Sequence, residues 1–353
     1  MITMSKYKLS VIIPTFNTGV FLHESLGSII NQSIGFENVE VILVDDKSSD
    51  PLTLSIIDDY VSKYSNIKVI YLEENSGFPG RPRNVGIDAS TSDYVIVMDH
   101  DDSYEIDAFE HLYNTITKEN ADMVSSNYFE EYKNIKEKHT YIFGPDFDKI
   151  KISSIDEDLR FFDIGPAIWI KLFRKSFLNE HNIRFLEGML AEDLNFFINV
   201  LLQSNSIVYL DNYFGYNYKI RDTDEDKSTI HVRNKKYLDA MISGYYETWD
   251  MLINLNQEKY FSNVFRAHLV FWLTSFIASD ISNMDKKDLA KRMGPILTEQ
   301  LKYTPDFGET IYIPLVKPLK NKNFDEFVKA SNNIKKSRKR RMKIKNFIHK
   351  LKI

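Results

Sequence analysis

"VIVMDHDDS", residues 95–103, runs a greasy stretch directly into three carboxylates, Asp99, Asp101 and Asp102. A buried strand that ends in like charges either faces open water there or holds something positive. Three earlier segments have the same strand character: "KLSVIIPTF" (8–16), "VEVILVDD" (39–46) and "IKVIYLE" (67–73), before "SDYVIVMD" (92–99) as the fourth. Between them, "FLHESLGSIINQS" (21–33) places Leu22, Leu26, Ile29 and Ile30 at helical spacing. "LTLSIIDDYVSKY" (52–64) reads as a second helix, with Ser49 or Asp50 as its cap before Pro51. Strands alternating with helices predict a mainly parallel α/β sheet covered on both faces. Ligands of such sheets bind beyond the carboxyl ends of the strands. Here those ends read "IIPTFN", "VDDKSSD" and "MDHDD", and the third strand leads into "EENSGFPGRPRN" (73–84).

From about 121 to 215 the pattern is mixed: "ADMVSSNYF" and "NSIVYLDN" read as short strands, and "LAEDLNFFINVLLQS" (190–204) as a helix from near Ala191. Beyond about 232, "YLDAMISGYYETWDMLINL" and "FSNVFRAHLVFWLTSFIASDIS" read as helices. The expected division is an α/β domain over 1–230, a helical domain over 231–332 for acceptor binding or oligomerisation, and a tail over 333–353. The 353 residues, 43% hydrophobic, can bury a sizeable core. There is no cysteine, which excludes disulfides and thiolate metal sites. "MITMSKYKLSVIIPTF" lacks the apolar stretch of a secretory signal, and "AHLVFWLTSFIA" (267–278) is too short to span a membrane and reads as a buried helix. Net charge is −5, unevenly spread: residues 335–353 hold ten Lys or Arg and no acid, leaving 35 bases against 50 acids elsewhere. Met342, Ile344, Phe347, Ile348 and Leu351 interleave with those bases at roughly helical spacing. A solvated terminus and an amphipathic helix on an anionic membrane or polymer both fit this pattern. The acidic body opposes nucleic-acid binding.

Each chemical candidate carries two readings. Asp99 and Asp101 can share one hard divalent cation, Mg²⁺ or Mn²⁺, coupled to a diphosphate; the other reading is an acidic turn in which Asp102 caps a helix starting near Glu105. Asp45 and Asp46 can accept a hydrogen bond from a pyrimidine N3–H, or cap the next helix. In "NSGFPGRPRN" (75–84), Gly77 and Gly80 permit positive φ and close backbone approach, and Arg81 and Arg83 suit phosphate oxygens; the other reading is a rigid loop with two surface arginines. A helix then begins with "RNVGIDAS", and its N-terminus favours an anion. No G-K-[ST] follows, so this is not a nucleotide-hydrolysing P-loop. Glu192 and Asp193 begin a helix, as caps or with Asp193 as a general base. Arg221, Lys227, Ser228 and His231 lie in a polar segment whose default reading is a solvated loop and whose other reading is closure on a phosphate-bearing ligand, and Trp169 in "GPAIWIKLF" suits stacking on a sugar or bracing the pocket.

Taken in order, "VIIPTFN", "VILVDDKSSD", "NSGFPGRPRN", "YVIVMDHDDS", "GPAIWIKLFRKSFL" and "AEDLNFF" resemble the family 2 glycosyltransferases over residues 7–230. The string "NSGFPGRPRN" with the acidic pair near 192 looks most like the bacterial wall teichoic acid enzymes that add N-acetylglucosamine to poly(ribitol phosphate). The resemblance implies a GT-A (Rossmann-like) domain and an inverting, metal-dependent hexosyltransferase. It implies that Pro14, Thr15 and Asp45 contact uridine, Asn75 lines the nucleotide pocket, and Arg81 or Arg83 meets the diphosphate. It places Asp99 near ribose and metal, Asp101 on the Mn²⁺ or Mg²⁺, and Asp193 as catalytic base, with Arg221 and Ser228 in a donor-closing loop. The family's loop histidine is not matched: the position falls on Glu225 or Asp226, with His231 beyond, which leaves the third metal or diphosphate ligand open. The expected partners are a UDP-sugar, UDP-GlcNAc by the resemblance, a polyanionic polyol-phosphate or polysaccharide acceptor, an anionic membrane met through the tail, and further copies of the chain. The expected setting is cytoplasmic, peripheral on the inner membrane face. A capsular or exopolysaccharide transferase on a lipid-linked acceptor is the alternative, and a noncatalytic nucleotide-sugar-binding protein the reading from another class.

Overall fold

In the computed structural model the described residues are 6–221 and 233–351, with side chains described as far as Arg340. The chain divides into two compact units, Met1–Asp226 and Lys227–Ile353. Both this division and the one expected after residue 230 fall in 222–232, outside the described residues.

The first unit is built on one ten-stranded sheet. Its strands are β1 (Leu9–Thr15), β2 (Val39–Asp45), β3 (Ile67–Tyr71), β4 (Tyr94–Val97), β5 (Ser103–Tyr104), β6 (Met123–Tyr132), β7 (Ile135–Lys138), β8 (Ile150–Ile152), β9 (Lys171–Arg174) and β10 (Ile207–Lys219). The order is β3-β2-β1-β4-β9-β6-β10-β5, with β7 on β6 and β8 on β10. β1 to β4 are mutually parallel where they pair, as the strand-helix alternation predicts. Beyond β4 the sheet is mixed, because β9 runs antiparallel to both β4 and β6.

Helices α1 (Phe21–Ile30), α2 (Pro51–Lys63), α3 (Gly80–Ala89), α4 (Ala108–Glu119), α5 (Lys175–Glu180) and α6 (Glu192–Gln203) cover this sheet. All seven residues of β2 are buried, so its sequence shows a continuous apolar run rather than alternation. Leu22, Leu26 and Ile29 of α1 and Phe109, Leu112 and Ile116 of α4 join Val11, Ile13, Val41 and Leu43 in one core. Glu40, inside β2, is fully buried yet satisfied: Lys68 Nζ, Ser10 Oγ, Thr91 N and Thr91 Oγ1 all donate to it. Burial pushes its carboxyl up, but those donors outweigh it and hold it below its ordinary value. Asp50 caps α2, accepting from Leu52 N at 3.2 Å and Thr53 N at 3.0 Å.

The second unit contains α7 (Lys235–Asn254), α8 (Phe261–Ala278), α9 (Asn283–Gln300), α10 (Ile313–Lys320) and α11 (Phe324–Leu351). The apolar run at 267–278 lies in α8, with Leu269, Trp272, Leu273 and Phe276 buried. No described helix is long and apolar enough to cross a membrane. The expected boundary at 332/333 falls inside α11, a single helix of 28 residues. Phe327, Val328 and Ile334 bury its first turns, and Lys335 continues the contact by donating to the Ser279 carbonyl at 2.6 Å and to Asp280.

Candidate active site

β1 and β2 end side by side, with Thr15 and Asp45 in register. Thr15 Oγ1 donates to Asp45 Oδ1 at 3.2 Å, and Ser48 donates to the same carboxylate through its backbone N (2.8 Å) and its hydroxyl (2.6 Å). An ionised carboxylate offers about four acceptor positions, so one remains. Pro14, the residue before Thr15, is partly exposed in the same strand end. The neighbouring Asp46 accepts from the Ser76 backbone N and hydroxyl, while Asn75 Nδ2 donates to the Asp46 carbonyl at 2.8 Å. Neither aspartate caps α2, since Asp50 does that. Asp45 shapes the turn, and Asp46 fastens the 75–79 loop to the end of β2.

That loop crosses toward the second half of the site. Gly77 has φ +75°, which L side chains rarely adopt. Gly80 is the first residue of α3, so the helix starts three residues earlier than the sequence suggested. A Cβ at Gly80 would stand 1.9 Å from the Leu186 carbonyl oxygen, a backbone atom without room to yield. Gly80→Ala is therefore expected to cost about 1–3 kcal/mol, read as a lowered urea midpoint, and an unchanged midpoint would contradict this packing.

Because α3 begins at Gly80, the two arginines lie on a helix and diverge. Arg81 is half-buried and has no ion-pair partner among the described residues. Arg83 points inward, 7% exposed, and its terminal nitrogens donate to Glu192 Oε1 at 2.8 Å and Asp99 Oδ1 at 3.2 Å. Of the two arginines expected to offer a diphosphate contact, Arg83 thus has both terminal nitrogens on carboxylates inside the protein. Burial disfavours its charge, but Glu192, Asp99 and Asp193 outweigh that and hold its basicity above the ordinary value.

The cluster after β4 is tolerable because each carboxylate has a different partner. Asp99, on the strand end, receives Arg83. Asp101 forms an ion pair with Arg221. Asp102 is 2% exposed and accepts from Tyr216 Oη at 2.9 Å and Lys219 N at 2.8 Å, both on β10. It therefore ties β10 down and caps nothing: α4 starts only at Ala108, and no side chain caps it. Burial, then the charges of Asp101 and Asp99, pushes the Asp102 carboxyl well above its ordinary range.

On the far side of Arg83, Glu192 and Asp193 open α6. Ala191 ahead of them has φ 64°, a left-handed conformation uncommon for a residue with a Cβ and often found at functional sites. Neither acid is the N-cap; Asp193 Oδ1 accepts from its own neighbour, Leu194 N, at 2.7 Å. Burial first, then the charge of Asp193, pushes Glu192 up to about 7. Burial also raises Asp193, and Arg83 partly offsets the rise. Trp169 braces the site from within, stacked on Tyr216 at 4.3 Å and on Tyr218 at 5.6 Å, which leaves its ring engaged with protein. Sequence reading passed over Lys171, fully buried in β9; the available signal was a lone lysine between Ile170 and Leu172-Phe173 in a strand. Ser228, Glu225, Asp226, Lys227 and His231 lie outside the described residues.

As a metal site, the arrangement offers a carboxylate pair, Asp99 and Asp101. Among the described residues no group of three His, Asp or Glu side chains is placed to hold an ion. Such an open pair suits a hard cation whose remaining ligands are diphosphate oxygens and water, and does not suit a closed protein cage.

The pattern of "Glycosyl transferase family 2" matches residues 10–180. The poly(ribitol-phosphate) β-N-acetylglucosaminyltransferase TarP of Staphylococcus aureus is 30% identical over 260 residues, 71% of this chain and 75% of that one. The chain belongs to the family 2 glycosyltransferases. Other relatives of this glycosyltransferase are a poly(ribitol-phosphate) β-glucosyltransferase of Bacillus spizizenii and a cholesterol galactosyltransferase of Borreliella burgdorferi. The first is 32% identical over 66% of this chain but only 36% of its own length. The second is 30% identical over 67% of each chain. The crystal structure of S. aureus TarS 1–349 in complex with UDP-GlcNAc superimposes with a TM-score of 0.72, covering 93% of this chain and 92% of that one at 21% identity. The glycosyltransferase thus has the GT-A fold with a helical C-terminal region.

Proposed function

We propose that this glycosyltransferase moves N-acetylglucosamine from a UDP-sugar to poly(ribitol phosphate), with inversion at the anomeric carbon. The observation that carries the reading is Arg83, whose two terminal nitrogens join the strand-end carboxylate Asp99 to Glu192 beside Asp193. A donor-side acid and a base-side acid are thereby held in one ionic unit. The relatives' names support the acceptor: two of the three described act on poly(ribitol phosphate). The third acts on cholesterol, which favours keeping a lipid-linked acceptor, as in capsule or exopolysaccharide assembly, as the rival. Family membership sets the noncatalytic reading aside.

In the proposed reaction the remaining acceptor position of Asp45 takes the uracil N3–H, with Pro14, Thr15 and Asn75 around the nucleoside. Arg81, unpaired among the described residues, takes the diphosphate, while Arg83 stays on its two carboxylates. Asp193 accepts the proton of the acceptor hydroxyl as that oxygen bonds to the anomeric carbon from the face opposite UDP. The bond from that carbon to the diphosphate oxygen breaks, and UDP leaves with the electron pair. Asp99 and Asp101 would hold a divalent ion, whose chemistry there is to neutralise charge gathering on the departing diphosphate. Arg221 now pairs with Asp101, so that ion and Arg221 compete for one carboxylate. Incubation with several UDP-sugars and candidate polymers, followed by NMR of the product linkage, tests the proposal. Transfer to a lipid-linked acceptor, with none to poly(ribitol phosphate), would select the rival.

The basic end of α11 is proposed to recruit the anionic polymer or the membrane where it is made, and the helical unit to support assembly of copies. Because Lys335 is anchored to Asp280, truncation should begin after Arg340. That truncation is expected to reduce activity more at low salt than at high salt, since the Debye length falls from about 30 Å at 0.01 M to about 8 Å at 0.15 M. Equal losses at both would remove electrostatic recruitment.

A further inference from the structure

Within the helical unit, α9 and α11 leave a groove of about 330 Å³ between them. Its centre is an amide held at both ends. Asn332 Oδ1 accepts from Lys286 Nζ at 3.0 Å, and Asn332 Nδ2 donates to Asn283 Oδ1 at 2.9 Å. Lys286 is only 2% exposed, so the amide is fixed from inside the protein and not by surface side chains alone. It keeps one N–H and part of its oxygen for a guest, and the exposed Asn333 beside it adds a second amide. Lys329 and Lys336 stand on the same wall. They are two turns apart on α11, about 10.5 Å along its axis. Both are exposed, and neither has an ion-pair partner among the described residues. The acid of the lining, Asp325, is already paired with Lys287 at 2.6 Å. No acid follows Glu326 in α11, so nothing further along the helix offsets the two lysines.

We infer that this groove is a holding site for the acceptor chain: phosphates of a phosphodiester-linked polyol rest on Lys329 and Lys336, and hydroxyls between them bond to Asn332 and Asn333. The inference rests on the poly(ribitol phosphate) acceptor proposed above and gives that chain a second place to bind, in addition to the site of transfer. The chemistry decides the ligand class. Ammonium groups meet phosphate oxygens, and amides both donate to and accept from hydroxyls. A membrane surface asks for an exposed apolar face. The apolar member of the described lining is Val328, and it is buried. The groove makes and breaks no bond, so its effect falls on capture and not on the chemical step. Holding one stretch of a polymer raises the effective concentration of the rest of it at the reacting residues. Both lysines precede the proposed truncation after Arg340, which leaves them in place, so the groove and the basic end of α11 can be tested separately.

The test uses the full chain carrying Lys329→Gln with Lys336→Gln, two exposed positions on which the fold does not depend. Lys317→Gln with Lys320→Gln, in the last turn of α10, removes the same charge elsewhere on the unit and serves as control. By calorimetry, affinity for poly(ribitol phosphate) is expected to fall about tenfold in the groove variant and to stay within about twofold of the parent in the control. KM for the polymer should rise in step, with kcat and UDP-sugar affinity unchanged. Polymer affinity unchanged in the groove variant, or lowered equally in the control, overturns the inference. So does a groove variant that keeps the polymer but loses binding to phosphatidylglycerol vesicles, which would assign the face to a membrane. The two levels separate cleanly. A parent that neither binds nor glycosylates poly(ribitol phosphate) defeats the proposed acceptor and the groove's ligand with it. A parent that does both, beside an unimpaired groove variant, defeats only the groove.

Discussion

Asp193→Asn should reduce turnover by about 10³-fold while leaving UDP-sugar affinity within about twofold of the parent. The argument starts from charge. Asparagine keeps the shape of the side chain, and its oxygen can still accept from Leu194 N, which reaches the carboxylate at 2.7 Å. What it loses is the ability to take a proton from the acceptor hydroxyl. The donor's proposed contacts lie at Thr15, Asp45 and Asn75, on the ends of β1 and β2 and in the loop they hold, so they do not involve α6. Calorimetry with the UDP-sugar and single-turnover transfer separate the two effects. Retained turnover would move the proton to another group, with Glu192 the first to test. A parallel loss of donor affinity would mean that Asp193 binds rather than reacts. In the parent enzyme, burial raises Asp193, so the acid limb of activity should lie above the range of an ordinary aspartate.

The parallel half of the sheet was legible because β1, β2 and β4 are buried on both faces and therefore read as unbroken apolar runs. The mixed half was harder to read. β9 has four residues, and its antiparallel pairing with β4 and β6 is set by partners far away in sequence. Pro79 and Pro82 lie ahead of the helix that the sequence placed from Arg83, but proline is tolerated in the first turn of a helix, so α3 could start at Gly80. Once Arg81 and Arg83 are helical, two positions separate them by about 200° around the axis, and only one can face inward. Sequence reading left open which of the two met the ligand, and packing turns Arg83 inward onto Glu192 and Asp99. The true role of Asp102 was hidden for a related reason: its partners, Tyr216 and Lys219, lie more than a hundred residues away, beyond any local signal.

Arg83→Met should be the most damaging substitution for stability, with the damage growing as pH rises. Removing one partner of a buried ion pair leaves the other charge uncompensated, at a cost of about 3–5 kcal/mol. Here a single guanidinium serves Glu192 and Asp99 directly and lowers Asp193 as well. The sign follows from the carboxyls. Glu192 ordinarily titrates near 4.5 and is pushed up to about 7 in the folded protein even with Arg83 present. A folded carboxyl with raised affinity for its proton has no penalty where both states are protonated. Its penalty builds as pH rises through the ordinary value toward the folded one, and stays constant above that. Without Arg83 the folded value moves higher still, so the window widens upward and the penalty deepens. Urea midpoints of parent and variant should thus be closest at about pH 5 and furthest apart at about pH 8. A gap of the same size at both would mean that Arg83 acts through packing against Phe185, 5.2 Å away, rather than through charge. Arg83→Lys tests the geometry separately: one ammonium carries the same charge but cannot span two carboxylates as the fork does, so part of the stability and little of the turnover should return.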